Sequence, residues 1–288
     1  MTRDPRSSIG SVPLELPAPT GEAAAHAERV ARMLAARIDA AGGWLDFAQY
    51  MTLALYAPGL GYYSAGAAKF GAAGDFVTAP EISDLFAQVL ADAFVPLFAA
   101  AGARRVLELG PGTGRFAGTV LRELAEQAAL PEEYLLLEVG ADLRERQPAR
   151  VRELAGEAAA RAHWLGSLPE RFAGVVFGNE VLDALPCERF LLRGGEAWRL
   201  GVVRARSATP QAAPGFAWQA RRADGSRDGD AAFVAALEPR LAPLRDALPE
   251  GYVGELQPAI GPWIAALGAM LERGAVLLAD YGLPRRHY

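Results

Sequence analysis

The chain holds a single cysteine, Cys187, among its 288 residues, so no internal disulfide can form. A reducing compartment is the simplest setting for such a sequence. Its three histidines, His26, His163 and His287, lie far apart and show no metal-ligand spacing. With one cysteine beside them they make no case for a zinc or iron site, so no metal is expected. Lysine is nearly absent: Lys69 is the only one, and arginine carries the rest of the positive charge. Together with abundant Ala and Gly this reads as genomic composition bias. A net charge of −5 and a pI near 5.4 leave no nucleic-acid footprint on the chain as a whole. No apolar run reaches the about 20 residues that a membrane span needs. The longest candidate, Ala265 to Tyr281, is interrupted by Glu272 and Arg273. The first twenty residues place Asp4 and Glu15 among Pro5, Pro13, Pro17 and Pro19. They read as a loosely held arm and not as a signal peptide or presequence.

What is present is concentrated in Val106-Leu107-Glu108-Leu109-Gly110-Pro111-Gly112-Thr113-Gly114. An apolar strand runs into a turn with glycine at alternate positions, and a helix-prone segment from Arg115 to Ala129 follows. Strand, glycine turn and helix together form the unit with which α/β proteins hold adenine-containing cofactors. The dinucleotide fingerprint would require glycine at 115, where this chain has Arg115. The spacing E-x-G-x-G-x-G suits a cofactor with a carboxylate and an amine but no phosphate, such as S-adenosyl-L-methionine. Gly110, Gly112 and Gly114 let backbone amides approach a ligand closely, and the helix N-terminus favours a carboxylate. The plain alternative is a tight turn with no ligand. Glu108 either meets the ligand's amine through water or is a hydrogen-bonded strand-end acid. Glu138 closes the next strand, 24 residues after Gly114. An acid there accepts hydrogen bonds from ribose hydroxyls in adenosine-binding folds.

Apolar periodicity places a helix over Ala23–Ala41, stopped by Gly42-Gly43, and a second helix opened by a capping box at Asp46 and Gln49. A glycine-rich loop spans Gly66 to Gly74. Thr78-Ala79-Pro80-Glu81 reads as another capping box, opening about four turns of helix toward Phe94. An alternating βα pattern then starts at Arg105. Its strands are Val106–Leu109, Glu133–Val139, Ala162–Leu165, Ala173–Phe177 and Val276–Ala279, with a helix over Asp142–Ala160. Near-continuous apolar strands of this kind are buried on both sheet faces. Between the last two strands, Arg189–Leu192 and Trp198–Arg204 form a hairpin around Gly194-Gly195. A strand near Phe216–Gln219 and a helix from Asp230 to Leu244 follow. The expected architecture is α/β, a doubly wound Rossmann-like sheet with an N-terminal helical cap and an α+β insertion. Residues 1–103 make the arm and cap with a lid loop, and residues 104–288 the cofactor-binding core, with the insertion at about 188–250.

Two further segments carry chemistry. In Gly178-Asn179-Glu180-Val181-Leu182-Asp183-Ala184-Leu185-Pro186, a helical turn would set Glu180 and Asp183 at i and i+3 on one face. Two carboxylates so placed can clamp a guanidinium. Equally, Asn179 can be an N-cap and the acids dipole-favoured first-turn residues. In Gly74-Asp75-Phe76-Val77-Thr78-Ala79-Pro80-Glu81, local capping explains Thr78 and Glu81. Asp75 and Phe76 remain for a lid over an active site.

Taken in order, several segments resemble one family. They are Tyr50-Met51, Leu55-Tyr56-x-Pro58-x-x-Gly61-Tyr62-Tyr63, Gly74-Asp75-Phe76-x-Thr78-x-Pro80-Glu81-Ile82-Ser83, the glycine turn, Leu137-Glu138-Val139, Asn179-Glu180-x-x-Asp183-Ala184-Leu185-Pro186 and Asp280-Tyr281-Gly282. The chain resembles the MidA-like SAM-dependent methyltransferases, a family that includes the mitochondrial complex I assembly methyltransferases. The resemblance implies a class I methyltransferase fold, bound S-adenosyl-L-methionine, and methylation of arginine on a protein connected with respiratory complex I. The expected cofactor-binding residues are Glu108, Gly110, Gly112, Gly114, Glu138, Asp75 and Thr78. Asn179, Glu180 and Asp183 face the substrate as catalytic candidates, with Glu81 and Asp75 in reserve. The expected partners are a protein substrate and a second copy of the chain. A bacterial cytoplasm is expected ahead of a mitochondrial matrix. Family members continue past Asp-Tyr-Gly, so the chain is expected to be C-terminally truncated, with its fifth strand left as a sheet edge. The rival readings are a non-catalytic assembly or docking factor that retains the cofactor fold, and an NAD- or FAD-dependent oxidoreductase. S-adenosylhomocysteine should raise the melting temperature of the protein and NAD should not. A thermal shift produced by NAD alone would restore the oxidoreductase.

Overall fold

The computed structural model describes residues 21–65, 78–205 and 213–282. The expected arm over residues 1–20 and the glycine-rich loop over 66–74, with Asp75 and Phe76, lie outside the described residues. In chain order the helices are α1 (Gly21–Ala40), α2 (Phe47–Tyr56), α3 (Ala79–Ile82), α4 (Leu85–Ala101), α5 (Arg115–Glu126), α6 (Ala141–Ala155), α7 (Asp230–Leu241) and α8 (Ile260–Met270). The strands are β1 (Leu45–Asp46), β2 (Arg105–Leu109), β3 (Glu133–Leu137), β4 (Ala162–Leu165), β5 (Phe172–Asn179), β6 (Glu188–Arg193), β7 (Glu196–Arg204), β8 (Phe216–Arg222), β9 (Val253–Leu256) and β10 (Leu271–Ala279). By contacts the chain divides into residues 1–62 with 186–258, and residues 63–185 with 259–288. The boundary near residue 103 expected from sequence falls inside the second of these units.

That second unit is built on a parallel sheet of order β10-β5-β2-β3-β4. The chain runs outward from β2 through β3 to β4, then returns to lay β5 on the other flank of β2. The strand order therefore reverses between β2 and β5, the place where open α/β sheets bind ligands. Alternation along the strands assigns the two faces. Val106, Tyr134, Leu136, Val175 and Phe177 pack with Phe94 and Phe98 of α4, Val120 and Leu124 of α5 and Val151 of α6. Leu107, Leu109, Leu135 and Val176 pack on the opposite face with Leu267 and Met270 of α8. Phe177 centres the first cluster, its ring 4.4 Å from that of Phe116 and 6.1 Å from that of Phe94.

One acid is buried in that first face. Glu108 shares the side of β2 that carries Val106, is 3% exposed, and accepts a 2.8 Å hydrogen bond from the Tyr134 hydroxyl. Desolvation pushes its carboxyl up to about 8; the Tyr134 bond opposes this, and Glu138 adds a smaller upward push.

The other unit joins the N-terminal helices to the 186–258 segment. Its antiparallel sheet has the order β1-β7-β6-β9, with β8 on β7. Gly194 and Gly195, at φ of 58° and 74°, make the two-residue turn between β6 and β7 as the sequence expects. The union rests on a two-residue strand, too short to read from pattern: β1 pairs with Val202 and Gly201 of β7. A side chain at Gly201 would come 2.2 Å from the Leu45 carbonyl. Beside this contact Arg199 is buried with three carboxylates. It bonds Glu188 at 2.5 and 3.0 Å and pairs with Asp46 at 3.1 Å and Asp230 at 3.4 Å. Asp46 also caps α2 by accepting the Gln49 amide at 2.7 Å, the expected cap.

Several local expectations are corrected. Thr78 makes no side-chain cap bond, and the helix it opens stops after Ile82 and restarts at Leu85. Glu81 turns instead to Thr113, and Ser83, in an extended conformation, breaks the helix. The helix beginning at residue 141 tightens to 3₁₀ at Gly156, where φ is 56°. β10 starts at Leu271, earlier than its apolar core suggests, and ends the sheet order among the described residues. No helix among the described residues is long and apolar enough to cross a membrane.

Two outcomes follow from the packing. Phe177→Ala should cost about 3–5 kcal/mol of unfolding free energy in denaturant titration; a loss under about 1 kcal/mol would mean that the cluster collapses around the gap. For Glu108, a folded value above its ordinary 4.5 means that the native state keeps a proton the unfolded chain has released. Its stabilising share is whole below pH about 4.5 and is lost as pH rises toward about 8, on the order of a few kcal/mol. Glu108→Gln should remove that slope, so its stability relative to the wild type improves steadily from pH 5 to pH 8. Parallel curves would contradict the burial argument.

Candidate functional site

Four strand ends of the second unit deliver polar groups to one edge of the parallel sheet. After β2, Gly110, Gly112 and Gly114 take φ values of 62°, 55° and 82°, which favour glycine. The Gly110 amide donates to the Leu137 carbonyl at 3.0 Å, and the Gly114 amide closes the turn on the Pro111 carbonyl at 2.9 Å. Their exposures to neighbours differ. A Cβ on Gly110 would lie 3.0 Å from Val181 and one on Gly114 3.2 Å from Val151, whereas one on Gly112 meets nothing within 4 Å among the described residues. Among the described residues, the side of Gly112 where a side chain would stand is therefore open. Thr113 donates its hydroxyl to Glu81 at 2.5 Å and accepts the Arg115 amide at 3.2 Å. Arg115 pairs with Asp84 at 2.8 Å, and Arg122 reaches the other oxygen at 3.1 Å. These two bonds hold the Asp84 carboxyl below the usual carboxylate range.

Glu138 stands one residue beyond β3, and its carboxylate is oriented from both sides. Oε1 accepts the Gly140 amide at 2.7 Å, and Oε2 accepts Gln147 Nε2 at 3.2 Å. The same Gln147 amide donates to the Gly112 carbonyl at 2.8 Å, and its own oxygen accepts Trp164 Nε1 at 2.7 Å.

After β5 the chain does not enter a helix. Glu180 sits at φ 50°, a conformation uncommon for a residue with a side chain. Its amide donates to the Ala279 carbonyl at 2.7 Å, and Asp280 accepts the next amides, Leu182 at 2.9 Å and Asp183 at 3.3 Å. The helical turn on which both readings rested, the i, i+3 clamp of Glu180 and Asp183 and the N-cap at Asn179, is replaced by a loop pinned to β10. Glu180 and Asp183 still come together, now with Asp280 as a third acid. Desolvation raises the Glu180 carboxyl, the Asn179 amide at 3.4 Å opposes, and Asp183 and Asp280 repel. The Asp183 carboxyl is also raised, by burial first and by Asp280, against the 2.9 Å bond from the Tyr281 hydroxyl. That bond carries the Tyr281 phenol up to about 12. Burial raises the Tyr63 phenol, and Asp183, Glu180 and Glu138 add to it, so Tyr63 lies in the field of both acid groups.

Of the sequence candidates, Gly110, Gly112, Gly114, Glu138, Asn179, Glu180 and Asp183 are gathered at this edge. Glu108 lies beneath it, turned into the core toward Tyr134. Thr78 opens α3, whose Glu81 reaches the glycine turn. Asp75 lies outside the described residues. Sequence reasoning missed Gln147, Trp164 and the anchoring part of Asp280. Gln147 leaves one signal: it is polar at a buried step of the 143–147–151 helical repeat. A glycine turn without side chains beside a carboxylate held from two sides fits a nucleoside carrying an amino-acid tail.

Residues 89–288 match the family described as "Putative S-adenosyl-L-methionine-dependent methyltransferase". The chain is 27% identical over 305 residues to the Drosophila melanogaster protein arginine methyltransferase NDUFAF7 homolog, mitochondrial, covering 96% of this chain and 66% of that protein. It is 30% identical over 179 residues to the Caenorhabditis elegans homolog, covering 54% and 42%. The chain thus spans between 42% and 66% of the length of these two relatives. A Burkholderia thailandensis crystal structure bound to S-adenosyl-homocysteine superposes with a TM-score of 0.82 at 41% identity, over 95% of this chain and 67% of that one. With the glycine turn, the acid after β3 and the switch in strand order already in place, this match makes the chain a member of the S-adenosyl-L-methionine-dependent methyltransferase family, built on the class I fold.

Proposed function

We propose that the full-length protein transfers a methyl group from S-adenosyl-L-methionine to an arginine side chain of a protein, a substrate connected with respiratory complex I. One observation carries the arginine reading. Glu180, Asp183 and Asp280 crowd at the ends of β5 and β10, and among the described residues none of them pairs with a cation of the chain. Arg199 in the other unit shows how this sequence neutralises three buried acids from within. Among the described residues the sheet-edge trio lacks such a neutralising partner, and a substrate guanidinium offers the planar fork that carboxylates grip. The relatives named as protein arginine methyltransferases support the same substrate class.

Glu138 would hold the ribose hydroxyls, and the glycine turn around Gly112 with the start of α5 the amino-acid tail. When bound, the cofactor supplies an electrophilic methyl on a sulfonium that leaves as a neutral thioether. The protein's own task is alignment. Glu180 and Asp183 orient the guanidinium and take the proton it sheds as the new N–C bond forms. Their raised values make them better proton acceptors than ordinary surface carboxylates, and an arriving cation relieves their mutual repulsion. Asp280 holds the loop that presents them.

Glu180→Gln should lower turnover by about a hundredfold or more while leaving S-adenosylhomocysteine affinity unchanged in calorimetry. Lost cofactor affinity would move Glu180 into the cofactor site. A full-length protein that transfers no labelled methyl group to any protein of a cell extract, and works equally well in cells as Gly112→Val, would be a docking factor instead.

A further inference from the structure

We infer that Gln147 is the positioning residue that sets the glycine turn and Glu138 at the spacing the nucleoside requires, with Trp164 fixing the direction of its amide. The inference rests on the cofactor reading above and goes beyond it, because Gln147 would act through Gly112 and Glu138.

Gln147 is 0% exposed, and both the nitrogen and the oxygen of its amide are hydrogen-bonded. One N–H goes to the Gly112 carbonyl at 2.8 Å, on the turn after β2. The other goes to Glu138 Oε2 at 3.2 Å, after β3. Its carbonyl accepts from Trp164 Nε1 at 2.7 Å, in β4. An indole nitrogen only donates, so it forces the carbonyl toward β4 and both N–H groups toward the cofactor edge. The reversed amide would face Gly112 and Glu138 with an acceptor. The stem of Gln147 also packs under the turn, where a Cβ on Gly114 would meet its Cγ at 3.4 Å. One helix side chain thus ties together the loops after β2 and β3 and the strand β4. With the Gly140 amide on Oε1, the Gln147 bond leaves Glu138 with a fixed plane. Rigid groups held by such supporting bonds bind without first having to be ordered.

Gln147→Glu tests this with nearly unchanged volume. The new carboxyl still accepts from Trp164 but can no longer donate to Gly112, and when charged it repels Glu138. Among the described residues, Glu108 and Tyr63 also feel the charge of Glu138. The Kd for S-adenosylhomocysteine should rise on the order of ten- to a hundredfold near neutral pH. The penalty should shrink as pH falls and one carboxyl of the pair takes up a proton that it can donate. Turnover at saturating cofactor should change much less than KM for the cofactor. Trp164→Phe, which removes the orienting donor but leaves Gln147 in place, should weaken binding in the same direction and to a smaller extent. It decides the question if the Gln147 variant fails to fold by circular dichroism. A folded Gln147→Glu variant with wild-type affinity at every pH, or a Trp164→Phe variant with wild-type affinity, overturns the positioning role. A wild-type protein that gives no calorimetric signal with S-adenosylhomocysteine overturns the cofactor reading and this inference with it.

Discussion

The candidate site depends on parallel pairing that runs one residue past the strands themselves. Parallel strands require crossover connections, so every strand of such a sheet delivers its outgoing loop to the same side. Here the pairing continues into two of those loops, through the Gly110 amide on Leu137 and the Glu180 amide on Ala279. The first bond holds the glycine turn against the strand that presents Glu138. The second holds the acid loop against the strand that presents Asp280. Without them the polar groups would sit on free loops, and their spacing would carry an entropic cost at each binding event.

The chain handles its acids in two opposite ways. In the unit with the antiparallel sheet, Arg199 meets Glu188, Asp46 and Asp230, and the guanidinium also lies over the Trp44 and Phe233 rings. Removing any partner there would strand buried charge, so the cluster serves the fold. At the parallel-sheet edge Glu180, Asp183 and Asp280 repel one another, and Glu180 adopts a left-handed backbone. Both features cost free energy that the apolar faces of the sheet must offset. Strain and repulsion that persist at a strand end are expected where a ligand relieves them.

Much of this organisation was legible in the sequence because it is local and periodic. The apolar strands, the glycine turn, the Gly194-Gly195 hairpin and the Asp46 cap each depend on residues within one turn or one strand. What escaped depends on distant partners. Glu180 to Asp183 reads as a helical turn until Asp280, nearly a hundred residues on, takes the amides. Thr78 and Glu81 have capping-box spacing, yet Glu81 finds Thr113 first. β9 has four residues, and α8 mixes glycine and proline with apolar residues and so shows no clear period. β1 has two residues and becomes a strand only because Gly201 lets β7 approach.

The two motif acids separate for a reason that spacing alone does not reveal. Side chains alternate across a strand, so an acid inside β2 must choose a face. Glu108 shares its face with Val106, which α4 and α5 cover, and it ends in the core bonded to Tyr134. Glu138 lies one residue beyond the last paired position of β3, where alternation no longer commits the side chain to a covered face. Its carboxylate can therefore turn along the edge toward Gly140 and Gln147. The same residue type, on neighbouring strands, becomes a core acid bonded to Tyr134 in one case and an acceptor oriented by Gly140 and Gln147 in the other. The place where strand pairing stops decides which.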